Sequence, residues 1–82
     1  MSERPSGLRK RSIVLAGHAT SLALEPEFWA ALERLARERG VSLAALIAGL
    51  DETRGRRPLA SACRVAALAA AERGATSDAG SG

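Results

Sequence analysis

The chain has 82 residues and carries 12 Lys+Arg against 9 Asp+Glu, for a formal charge of +3. One cysteine, Cys63, excludes an internal disulfide framework or a Cys-rich zinc site, and one Phe, one Trp and no Tyr argue against a base-stacking platform for single strands. The length leaves too little chain for a walled active site, and burial of only about 60% of the unfolded surface makes a lone core marginal.

Residues 1–8, rich in polar groups with Pro5 and Gly7, read as a flexible tail. Arg4, Arg9, Lys10 and Arg11 against Glu3 place +3, the whole net charge, in the first eleven residues. A second basic cluster is Arg54, Arg56 and Arg57; elsewhere the signs are mixed, as on a solvated helix face. The Arg preference beside abundant Ala also fits GC-rich codon usage. The basic run is followed by an apolar stretch of about five residues, shorter than the roughly 7–15 of a signal peptide. No stretch has the length of a membrane span, and the expected location is cytoplasmic.

Residues 12–15 and 20–24 predict two short strands around a Gly17-containing turn. Ile13 and Leu15 share one face of the first. In the second, Thr20, Leu22 and Leu24 alternate with Ala19, Ser21 and Ala23. Pro26 opens a helix over 26–39, because its locked φ and missing N–H suit the first helical position. Phe28, Ala31, Leu32, Leu35 and Ala36 form its stripe, and Gly40 stops it. Ser42 caps a second helix over 42–54, with Leu43, Leu46, Ile47 and Leu50 inward. Pro58 opens a third over 58–73, whose apolar face is read as Leu59, Ala62, Cys63, Ala66 and Ala69, with Val65 and Leu68 adjoining. Residues 74–82 have no apolar period and are expected to be disordered.

The run T-S-L-A-L-E-P-E-F-W-A-A-L-E-R-L-A-R-E-R-G-V-S-L-A-A-L-I resembles the ribbon-helix-helix fold of Arc- and MetJ-like repressors. The flanking R-S-I-V-L-A-G-H-A-T-S and P-L-A-S-A-C-R-V resemble a bacterial subfamily with an extra N-terminal strand and a C-terminal helix. The resemblance implies a mostly α chain with a short N-terminal β-ribbon, an intertwined homodimer and a third helix, with the domain over 9–73. It implies strand 20–24 pairing with its copy. The joint core would then hold Leu22, Leu24, Phe28, Leu32, Leu35, Leu46, Ile47 and Leu50. It further implies a dimeric DNA-binding protein, a transcriptional regulator or antitoxin-like repressor. Double-stranded DNA would meet the ribbon face at Ala19, Ser21 and Ala23. Phosphates would meet Arg9, Lys10 and Arg11, and the start of the second helix at Val41 and Ser42.

Two features depart from that pattern. Ala19 and Ala23 offer only methyl contacts and Ser21 one short hydroxyl, where base reading usually needs Arg, Lys, Asn or Gln. A four-stranded dimer sheet would also span roughly 14 Å at about 4.8 Å per strand, against a major groove about 12 Å wide. Either the first strand bends away, or the sheet binds something other than a groove. The alternative is a protein-interaction module on the same dimer scaffold, docking through 58–73. No carboxylate pair, nucleophile–base set or phosphate loop marks an enzyme, and no cofactor or metal is expected. His18 reads as a turn residue, Cys63 as a core thiol and Trp29 as core or interface. Arg54, Arg56 and Arg57 serve equally well as partners for the second helix's terminal carbonyls.

Overall fold

The computed structural model describes residues 7–81, with side chains up to Gly74. Expectations for residues 1–6 lie outside it. In chain order the elements are β1 (Arg9–Leu15), β2 (His18–Leu24), α1 (Pro26–Arg39), α2 (Leu43–Thr53) and α3 (Leu59–Ser81).

The strands form a two-stranded antiparallel hairpin in which Leu15 pairs with His18 and Arg9 with Leu24. Ala16 and Gly17 connect them, both at positive φ (52° and 82°). That is the handedness a two-residue hairpin turn needs to match the strands' own twist. His18 therefore belongs to the strand and not to the turn. The larger difference is at the other end: β1 begins at Arg9, three residues before the expected 12. The pairing of Arg9, Lys10 and Arg11 with Leu24, Ala23 and Leu22 draws the expected basic arm into the sheet.

Pro26 stands in the first turn of α1 as expected, with Glu25 as the N-cap and Glu27 favouring the positive end of the helix. Gly40 ends α1 at φ 72°. Its N–H donates to Arg37 O and the Val41 N–H to Ala36 O, closing the terminal carbonyls. Ser42 Oγ accepts from the Ala45 N–H at 3.0 Å and caps α2. α3 continues to Ser81, into the stretch expected to be a tail from 74. Gly74 costs a helix interior only about 1 kcal/mol relative to Ala, and no proline follows to end it.

All three helices lie on one face of the hairpin, where Ile13, Leu15, Leu22 and Leu24 are buried. Trp29, Leu32, Leu35 and Ala36 of α1 and Leu46 and Ile47 of α2 complete most of the core. α3 supplies the remaining wall through Ala62, Cys63 and Ala67. Its inward stripe is rotated from the one expected: Ala66 and Ala69 are only partly covered, while Val65 and Leu68 are 49% and 58% exposed. In so Ala-rich a helix apolarity does not distinguish one face from another. The observed rotation buries Ala62, Cys63 and Ala67 and brings Arg64 to Glu25, with Arg64 Nη2 2.9 Å from Glu25 Oε1 and its guanidinium over the Phe28 ring. A hydrogen bond from its own backbone amide, and then Arg64, hold the Glu25 carboxyl below its ordinary range.

Leu24, Leu32, Ile47 and Cys63 are fully buried within one chain. The expected dimer-core residues Leu22, Leu35 and Leu46 are likewise buried there, and Phe28 and Leu50 partly so. Strand, α1 and α2 alone could not enclose these side chains. The hairpin and α3 do so without a second copy, so core closure does not by itself require intertwining.

Candidate nucleic-acid interface

Because side chains alternate across a pleated strand, the register sorts the hairpin into two faces. Arg9, Arg11, Ile13 and Leu15 share the helix-covered face with Leu24, Leu22, Thr20 and His18. Lys10, Ser12 and Val14 share the outer face with Ala23, Ser21 and Ala19. Helices cover only the inner face. On the outer face Val14 is 62% exposed, and Lys10, Ser12, Ala19 and Ser21 are also exposed.

The pleat therefore divides the three basic residues expected to act together. The Arg11 guanidinium lies 4.5 Å from the Trp29 ring centroid, and its Nη1 is 2.9 Å from Glu33 Oε2. Trp29 in turn donates its indole N–H to Arg9 O at 2.8 Å, fastening the start of β1 to α1. A guanidinium over an indole face is held by the ring quadrupole, and the carboxylate neutralises its charge. Arg9 lies beside the same side of α1, in a shallow cleft shared with Arg11, Pro26, Trp29, Ala30 and Glu33. Lys10 alone extends from the outer face, with no hydrogen bond or ion pair among the described residues.

A strand begun at residue 12 leaves out the Trp29 and Glu33 contacts, which depend on β1 starting at Arg9. The same alternation extended back by three residues places Arg9 and Arg11 with Ile13 and Leu15, where α1 can meet them.

At the start of α2, the Val41 N–H is already bound to Ala36 O, so it is not open to an anion. Ser42 Oγ is occupied as an acceptor by the Ala45 N–H, and its own hydroxyl hydrogen remains to donate. The donors left over at this end are the N–H groups of Ser42, Leu43 and Ala44, which by helix geometry have no intrahelical partner. Exposed Arg37 and Arg39 immediately precede this turn, in the last turn of α1.

The cluster after α2 is largely committed to local partners. Arg54 Nε pairs with Asp51 at 2.7 Å and Nη1 donates to Arg57 O, while Arg57 donates to Ser61 Oγ. Of the three, Arg56 alone makes no hydrogen bond or ion pair among the described residues. A shallow groove between α2 and α3, lined by Leu50, Thr53, Arg54, Arg57, Val65 and Ala66, lies beside it.

Cys63 is fully buried, and desolvation raises its thiol from 9.0 to about 11, outweighing the nearby Arg64 charge. That is the environment of a packing thiol and not of a nucleophile. His18 has no companion at ligand distance: no group of His, Cys, Asp and Glu able to hold a metal occurs among the described residues. No described helix is long and apolar enough to cross a membrane.

Comparison with known proteins agrees with this architecture. A family model described as a ribbon-helix-helix domain matches residues 8–71, from just before β1 into α3. No curated protein and no solved structure matches the chain.

Proposed function

The chain belongs to the ribbon-helix-helix domain family, and on that premise we propose that it is a homodimeric, double-stranded-DNA-binding protein acting as a transcriptional regulator or antitoxin-like repressor. The observation that carries this reading is the outer face of the hairpin. It is an exposed ribbon face in a molecule whose other sheet face is filled by helices, and it carries Lys10 and no carboxylate. Phosphate attraction supplies most non-sequence-specific affinity.

Dimerisation is supported by the open edge of β2. Its seven residues, HATSLAL, contain no proline and no Lys, Arg, Asp or Glu to discourage strand addition, whereas the free edge of β1 is guarded by three basic residues. Pairing β2 with its copy would give a sheet in the order β1–β2–β2–β1, with Ala19, Ser21 and Ala23 of both chains at its centre. The start of α2, through Ser42 and the Leu43 and Ala44 amides, is the second proposed phosphate contact. Cytoplasmic residence follows from this role.

The test is a titration of purified protein against its own upstream DNA and a scrambled duplex, at two salt concentrations, with mass measured by light scattering. A dimer whose affinity falls steeply with salt is expected. A monomer, or no duplex retained at low salt, refutes the reading. The protein-interaction alternative has one observation in its favour, exposed Val65 and Leu68 one turn apart on α3. It requires a co-purifying protein that is lost when that face is made polar, with no DNA retained.

A further inference from the structure

We infer that β1, and not the ribbon centre, is the principal DNA contact of the sheet: its outer row of Lys10, Ser12 and Val14 grips the sugar–phosphate walls of the groove, while Arg9 and Arg11 take no part. This deepens the DNA-binding reading above and rests on it, including the β2–β2 pairing.

The geometry follows from register and spacing. In the β1–β2–β2–β1 sheet, neighbouring strands lie about 4.8 Å apart, so each β1 would run roughly 7 Å from the dimer axis. Half of a major groove about 12 Å wide is roughly 6 Å. Each β1 therefore falls over a groove wall, and a sheet too wide to enter the groove instead straddles its rims. The side chains fit that division. The centre carries Ala19, Ser21 and Ala23, short enough for the sheet to settle close to the groove. Lys10, opposite Ala23, is the one charged side chain of the outer face, and it is exposed. Ser12 and Ser21 stand opposite each other and bring two hydroxyl donors between wall and centre. Val14, 62% exposed beside Ala19, presents an apolar surface to sugar carbons.

Arg9 and Arg11 belong to the opposite face, where Arg11 is held by Trp29 and Glu33. With one cation per chain on this face and only small side chains at its centre, the sheet anchors DNA through its backbone and discriminates little between base sequences. Phosphate contacts position a protein without reading sequence.

The experiment measures affinity of the full-length dimer for its upstream duplex and a scrambled duplex across a salt series. Wild type is compared with Lys10→Ala, Lys10→Gln, Arg9→Ala and Arg11→Ala, with melting and light scattering confirming a folded dimer in each case. Each neutralised phosphate contributes about 0.9 to the slope of log K against log salt. Both Lys10 variants are expected to lower the slope by roughly 2 per dimer and to weaken the two duplexes by the same factor. Arg9→Ala and Arg11→Ala are expected to leave the slope unchanged. If wild type binds and the Lys10 variants keep its slope, or lose affinity for the upstream duplex alone, the placement of β1 is wrong. Loss of slope in Arg9→Ala or Arg11→Ala equal to that in Lys10→Ala overturns it as well. If wild type retains neither duplex, the DNA-binding reading itself fails and this inference with it.

Discussion

Replacing Trp29 by Phe or Ala tests how the hairpin is fastened to the helices. The indole is 2% exposed, donates to Arg9 O at 2.8 Å and lies 4.5 Å under the Arg11 guanidinium. Trp29→Phe keeps an aromatic face but removes the N–H. The lost hydrogen bond costs about 0.5–1.5 kcal/mol, and the smaller ring about 1 kcal/mol more in lost burial. Trp29→Ala removes both contacts and leaves a cavity, for about 3–5 kcal/mol. Glu33→Ala breaks only an ion pair whose side chains are 43% and 41% exposed, so it costs less than about 1 kcal/mol. At roughly 0.05–0.15 kcal/mol per residue, total stability for a chain of 82 residues is of order 4–12 kcal/mol, of which Trp29→Ala removes a large share. Urea titration followed by far-UV circular dichroism, which does not depend on the removed fluorophore, gives each value. The expected order is Trp29→Ala, then Trp29→Phe, then Glu33→Ala. A Trp29→Phe variant as stable as wild type, or Glu33→Ala as costly as Trp29→Ala, would refute the fastening.

Two further predictions concern backbone and thiol chemistry. At Gly40, φ is 72° and nothing lies within 4 Å of an added Cβ. Gly40→Ala should therefore lose about 1–2 kcal/mol from the left-handed conformation alone, and Gly40→Asn less, by the same urea titration. Cys63 should react with a thiol reagent only on unfolding, so that labelling of native protein tracks the unfolding equilibrium measured by urea; fast labelling of folded protein would contradict its burial. Its thiol stands at about 11 against 9.0 for the free group. The unfolded chain therefore releases this proton first, and stability present below pH 9 should decline as pH rises through 11. Cys63→Ala should flatten that part of the pH–stability profile.

Element order was legible in the residues because each boundary has a local cause. Pro26 can start a helix, Gly40 can adopt a left-handed φ, Ser42 can cap, and alternation assigns Leu22 and Leu24 to the core. The length of β1 had no such cause. Arg, Lys and Ser carry no apolar alternation, so their place in a strand depends on pairing with Leu22, Ala23 and Leu24 across the hairpin.

The hairpin, the first two helices and the inward faces of β2 and α2 follow from the residues, because propensity, capping and period act within a few positions. Tertiary structure alone decided the register that separates Lys10 from Arg9 and Arg11. It also decided the rotation of an Ala-rich α3, which buries Ala62, Cys63 and Ala67, and the commitment of the Val41 amide to the end of α1. Each of these joins residues or elements whose individual preferences permit more than one arrangement, and packing and hydrogen bonding choose among them.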